Sequence, residues 1–262
     1  MRQLYSAINT EILKACRSKI LWISILLFVF MGIMIGMLMF ISKHPEIAGK
    51  SAALGTKARL LGKNDWPSYF DLMIQMVLTV GCMGCGIVTI WVFGREYMDR
   101  VVKDLLVLPV PRHIFVSSKF ILIIIWSLLL LLLLFASAVI TGLIVNLDGW
   151  TWVVVRDSFV LYIVSSLLTI LLCTPVGLIT CLSRGYLLPV TFVFLTLILT
   201  QFVFVAVPGI ILYFPWAIPA LYSGLAGSDA PHPGFISYSV LILTSVACMT
   251  GTAAWWRYAD QK

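Results

Sequence analysis

Six stretches of this chain, at about residues 20–42, 69–93, 120–145, 159–182, 187–207 and 236–256, are apolar almost throughout. A helix needs roughly 20 such residues to cross the hydrocarbon core of a bilayer. Inside that core no water is at hand for backbone N–H and C=O groups, so each stretch must satisfy its own as a helix. The expected fold class is all-α: a polytopic integral membrane protein with six transmembrane helices. Only 11% of the residues are charged and 61% are hydrophobic, against about 25% charged in a soluble domain. The loops are too short for another sizeable domain, so residues 1–262 read as one transmembrane domain.

The net charge of +7 could suggest nucleic acid, but the charges fall between the apolar runs rather than on a soluble basic face, and no nucleic-acid partner is expected. They report orientation instead. With both termini in the cytoplasm, the inner segments hold twelve Lys and Arg and the outer segments six, five of them in the first outer loop. Basic residues concentrate on the cytoplasmic side, which favours this topology by two to one. The first run starts too late and is too long for a cleavable signal, so the first span is expected to stay in the mature protein.

Chemistry-bearing motifs are absent. There is no GxxxxGK[ST] to cradle nucleotide phosphates and no HExxH or GxSxG, and His44, His113 and His232 are scattered among loops. Cys82 and Cys85 make a CxxC without a second pair to complete a metal site. The six cysteines mostly lie in apolar runs and read as small packing residues. No catalytic residue, metal or cofactor is assigned to this chain, and any ATP must be handled elsewhere.

Two amphipathic segments flank the first three spans. Leu4, Ile8, Ile12 and Ala15 form a stripe before the first span, with Arg2, Glu11, Lys14, Arg17 and Lys19 decorating the rest. After the second span, Tyr97, Val101, Leu105 and Leu108 recur at helical spacing, while Glu96 with Arg100, Arg100 with Asp104 and Asp99 with Lys103 stand four apart. Pro109 and Pro111 end that helix. From pattern alone such helices either lie in the headgroup region or present an apolar stripe to a cytoplasmic partner.

The second span also carries a polar face. Asp71, Gln75, Thr79, Cys82, Gly86 and Thr89 fall within an arc of about 80° on an ideal helix, with Thr196, Thr200 and Gln201 as a weaker counterpart on the fifth span. Polar groups at membrane depth usually face protein or water, so these are the candidate pathway residues; close helix packing is the plainer alternative. Gly32 and Gly36 make a GxxxG read as packing. Pro175 and Pro189 are candidates for kinks. Residues 208–234, with Tyr213, Trp216 and several prolines, read as short interfacial or re-entrant helices on the outer side.

The N-terminal helix with Glu11 and Lys14, six spans, the stretch FGREYMDRVVKDLLVLPVPRHIFVSSKFI after the second span, YFPWAIP before the last and the ending WWRYADQK together resemble the permease subunits of ABC-2-type ABC transporters. The likeness is greatest to permeases of bacitracin-resistance and lantibiotic-immunity exporters. It implies a bacterial plasma-membrane subunit that pairs with a second permease, identical or related, and with two cytoplasmic ATPase subunits that bind ATP and Mg. It also implies that residues 94–112 form a coupling-helix loop, with Arg95, Glu96, Tyr97, Asp99, Arg100, Val101, Lys103, Asp104 and Leu105 engaging the ATPase and Glu11 and Lys14 as N-terminal contacts. The second and fifth spans would line the route of an amphiphilic peptide substrate, membrane lipid surrounding the rest. Export of ions, lipids or small drugs, or an ATP-independent carrier or scaffold, are the competing functions.

Overall fold

A computed structural model describes residues 2–44, 64–99, 111–227 and 231–258. Among the described residues six helices are long and apolar enough to cross a membrane: Lys19–Lys43, Trp66–Met98, Arg112–Val145, Trp152–Ser183, Leu187–Ala206 and Phe235–Tyr258. They are preceded by α1, Arg2–Cys16. No strand occurs among the described residues, apart from one isolated bridge between Asp65 and Asp148. The all-α six-span fold is thus the one expected, but the second, third and fourth helices run past their apolar runs. The third begins at Arg112 rather than near residue 120 because the helix continues beyond the hydrocarbon, carrying its polar first turns with it.

The third span is the scaffold. The first packs along it through the GxxxG: a Cβ on Gly32 would stand 2.0 Å from Ser137 Oγ and 2.9 Å from the Leu134 carbonyl oxygen, and one on Gly36 2.4 Å from Thr141 Oγ1. The missing side chains are what let the two backbones approach. At the same end of the bundle Trp66 donates its indole N–H to the Leu147 carbonyl at 3.1 Å, and Tyr69 its hydroxyl to Ala138 at 2.8 Å. These bonds fix the start of the second span on the third. Lys43 completes the arrangement, donating to the Val145 and Asn146 carbonyls, which end the third helix without partners of their own.

Two spans depart from regular α-helix. The second has a π-turn at Val77–Gly81. The fourth breaks at Leu172 and Cys173 ahead of Pro175. Proline has no N–H for the carbonyl four residues back, and in lipid that carbonyl cannot be left bare. Here it belongs to Leu171, and the hydroxyls of Thr174 and Ser245 replace the lost donor at 2.8 and 3.0 Å. Pro189 makes no kink: it lies in the first turn of the fifth span, which starts at Leu187, where no helical carbonyl is deprived. After the fifth span the chain forms 3-10 turns at Pro208–Tyr213 and Pro215–Ala217 and a short helix at Ile218–Tyr222.

Gly36→Ala should destabilise the protein by about 1–3 kcal/mol, the usual scale for overpacking, because its Cβ would meet the Cβ of Thr141 at 2.5 Å. Gly209→Ala, with nothing within 4 Å of the added atom, should be close to neutral. Thermal unfolding of both variants in one detergent checks the contrast.

Candidate functional site

Four charged side chains meet where α1 crosses the end of the second span and the beginning of the third. Lys119, on the third span, is 1% exposed, Glu96 on the second 2%, and Glu11 on α1 5%. Lys119 Nζ lies 2.7 Å from Glu96 Oε1 and 3.4 Å from Glu11 Oε2, and donates to the Val92 carbonyl at 3.2 Å. Lys14 Nζ lies 2.9 Å from Glu11 Oε1 and 3.9 Å from Glu96 Oε1. The Lys119–Glu96 contact is close but out of line for a hydrogen bond, so neither carboxylate oxygen of Glu96 has a hydrogen-bond partner among the described residues. The attraction is one of charge. Two ammonium groups and two carboxylates balance, which is the condition for holding ions out of water at all.

The amphipathic pattern of α1 does not foresee this. Glu11 belongs by periodicity to the decorated face, yet with Ala15 it is the most buried position of the helix. It faces inward because Lys119 needs a counter-charge. Burial acts to raise the Glu11 carboxyl pKa, but the ammonium groups of Lys119 and Lys14 more than offset it and hold it below the usual 4.5. Lys119 itself escapes a reading based on flanking charge. Its signal is a lone lysine between Ser118 and Phe120, about two turns inside the third helix rather than before it.

Other contacts hold the same end of the second span. Tyr97 packs edge-on to Trp256 of the sixth span, with centroids 6.1 Å apart. Gly94 lets Tyr186, from the turn between the fourth and fifth spans, pass so closely that a Cβ would be 2.4 Å from its ring. Arg95 lies over the Trp91 ring at 4.7 Å. Asp99 is exposed and ends the helix. Arg100, Val101, Lys103, Asp104 and Leu105 lie outside the described residues.

Toward the other end of the second span is a cavity of about 520 Å³. It brings together Gln75, Thr79 and Cys82 of the second span, Thr200 and Gln201 of the fifth, and Trp216 and Pro219 of the segment after it. Among the described residues no charged one lines it. The hydroxyls of Thr79 and Thr200 donate to the carbonyls of Gln75 and Thr196 at 2.9 and 2.6 Å, leaving oxygen lone pairs available. Asp71 is exposed and off the cavity wall, and Thr196 is buried, donating to the Val193 carbonyl at 2.8 Å. The single polar arc is therefore divided. Gly86 and Thr89 turn inward against protein, Gly86 so near Val193 that a Cβ would be 2.9 Å away. The arc assumed an unbroken helix, and the π-turn at Val77–Gly81 changes its phase.

Among the described residues no three His, Cys, Asp or Glu side chains gather as metal ligands. The cysteines there are free thiols.

Lys119→Met should cost about 3 kcal/mol by leaving the buried Glu96 with only the more distant Lys14, at 3.9 Å, as counter-charge. Adding Glu96→Leu should recover most of that, since Glu11 keeps Lys14. Glu11→Gln should also destabilise, with a pH signature of fixed sign. A carboxyl whose folded pKa is depressed contributes fully above its unfolded value and loses that contribution as pH falls through the folded one. The gap between wild type and Glu11→Gln should therefore be constant from neutral pH to about 5 and close below about 4.5. Unfolding midpoints in detergent across that range measure both effects.

Residues 7–202 match the profile of the family described as ABC-2 family transporter protein. The chain is also similar to the bacitracin transport permease protein BCRB of Bacillus licheniformis, 25% identical over 194 residues that cover 74% of this chain and 91% of that protein. The family match covers α1 from Ala7 on, the charged cluster and the cavity residues as far as Gln201. The chain therefore belongs to the ABC-2 transporter family, as a multi-pass membrane transport subunit that works with ABC ATPase subunits and is not itself an enzyme.

Proposed function

We propose that this chain is the permease of an exporter that removes amphiphilic antimicrobial peptides from a bacterial plasma membrane. In this reading both termini are cytoplasmic, two ATPase subunits dock at the end of the bundle bearing α1, and a second permease, identical or related, packs beside the second and fifth spans. The observation that carries it is the Glu96–Lys119–Glu11–Lys14 cluster. It clamps the exit of the second span to α1 and the third span, so a push on the segment that follows is delivered to a rigid helix end rather than absorbed by a loose loop. Glu96 and Lys119 are too buried to touch a docked protein. They act as positioning residues, and Asp99, Arg100, Lys103 and their neighbours make the contact. Farther along, the same helix supplies Gln75, just before the π-turn, and Thr79, within it, to the cavity, which no charged residue lines among the described residues. Apolar walls with a few hydrogen-bonding groups suit the apolar part of an amphiphile, its charges staying at the mouth. The peptide class is supported by the transport name of the Bacillus licheniformis relative.

Expression with its ATPase in a bacitracin-sensitive host should raise the tolerated bacitracin concentration. Arg100→Glu with Lys103→Glu should abolish co-purification of the ATPase. Lys119→Met with Glu96→Leu should retain the ATPase but lower resistance about tenfold, the scale of an ordinary coupling free energy. Gln75→Leu with Gln201→Leu should lower resistance while leaving the ATPase bound. An assembled complex that confers no resistance overturns the peptide substrate, and resistance unaffected by the cluster variant overturns the coupling role.

A further inference from the structure

Away from the cavity and the clamp, a cleft of about 750 Å³ opens between the start of the third span and the end of the sixth. Its polar wall carries Arg112 and His113 from one helix and Arg257 from the other; its apolar wall includes Ala253 and Ala254, the last turns of the sixth span. Among the described residues no carboxylate lines it. The two arginines are brought together by the backbone: Arg112 Nη1 donates to the carbonyls of Trp256 and Arg257, both at 3.1 Å. Those bonds use one nitrogen of the guanidinium, and the residue lines the cleft. Arg257 is steadied on its other side by the Tyr258 ring, 5.3 Å from its Cζ.

This arrangement concentrates positive charge in one place. Arg112 and His113 occupy the first turn of a 34-residue helix with no acidic residue there, at the end where the helix dipole disfavours cations. Arg257, at the C-terminal end of its own helix, is well placed for its dipole but adds a second guanidinium to the same cleft. Arg112 answers the carbonyl end of the sixth helix, so what stays unbalanced is the gathering of cations itself, and an anion seated between the two helices would relieve that repulsion. The small side chains of Ala253 and Ala254 keep the cleft open along the membrane-spanning face, so the anion that fits is one attached to an apolar body.

We propose that this cleft is a phosphate-recognising site that holds the headgroup of one anionic phospholipid, with Arg112, His113 and Arg257 around the phosphate and the acyl chains running along the sixth span. Basic pockets between membrane helices bind anionic headgroups by this chemistry. The site needs nothing from the transport reading, and its test reads lipid rather than export.

The test titrates dioleoyl phosphatidylglycerol into the delipidated full-length chain in detergent and counts bound lipid by native mass spectrometry. Wild type should hold one tightly bound phosphatidylglycerol and show no such preference for phosphatidylcholine. His113→Gln with Arg257→Gln, which leaves the structural bonds of Arg112 in place, should weaken that lipid about tenfold or more. Arg17→Gln with Lys19→Gln, exposed cations at the same end of the bundle but outside the cleft, should leave it unchanged. Equal binding by wild type and the cleft variant overturns the site, and so does an equal loss in both variants, which would make the attraction diffuse. Displacement of the lipid by inorganic phosphate or glycerol 3-phosphate at similar concentrations overturns the lipid assignment and makes the cleft a site for a free phosphate-bearing ligand.

Discussion

An ammonium group removed from water and held among membrane helices fixes much of this fold. Lys119 cannot remain charged at 1% exposure without a counter-ion, since an isolated buried charge is worth several kcal/mol against folding. Glu96 supplies that counter-charge from the second span and Glu11 from α1; each is a buried carboxylate with the same difficulty in reverse. Lys14 then balances the sum. A buried ion network gives little net stability relative to apolar packing, but it is intolerant of misplacement. Apolar contacts along α1 would let the helix slide or rotate on the bundle. A carboxylate that must find one particular ammonium does not.

The same scarcity of water explains polar side chains that have no chemical task. Lys43 caps the carbonyl end of the third helix and Arg112 that of the sixth. Thr174 and Ser245 serve the carbonyl that Pro175 leaves without a donor. In a soluble protein water would do this work and these positions could be varied freely. In lipid each backbone irregularity demands a named partner, so an irregular helix can often be traced to the side chain that permits it.

How far such features can be read from sequence depends on whether their cause is local. The spans are local: length and apolarity suffice, and so do the break before Pro175 and the close packing at Gly32 and Gly36. Helix ends are less legible, because a helix does not stop where the hydrocarbon does, and Arg112–Phe120 and Trp66–Tyr69 look polar or interfacial while remaining helical. The convergence of Gln75 and Thr79 with Thr200 and Gln201 could be anticipated from residue type, whereas the exclusion of Asp71 and Thr196 could not, since a π-turn has no strong sequence mark. The burial of Glu11 was out of reach for a different reason. Its partner lies 108 residues away, and periodicity assigns a face by residue class, so a carboxylate is sent to the surface whatever awaits it in the bundle.

The second span takes part in both polar centres. Gln75 and Thr79 stand at the cavity and Glu96 at the clamp, with Thr79 inside the π-turn at Val77–Gly81 and Gln75 just before it. From Cys82 to Met98 the helix is regular and packed on the third, fourth and fifth spans. A regular, packed helix carries displacement along its axis, and a π-turn is a place where the hydrogen-bond register already departs from the α pattern. Under the proposed function, motion entering at the clamped end reaches the cavity wall through a stiff segment and meets the one irregular turn of that span. The polar residues of the cavity are therefore placed where a small change in helix register alters which of them face the open space, and the ion cluster is placed where that change would begin.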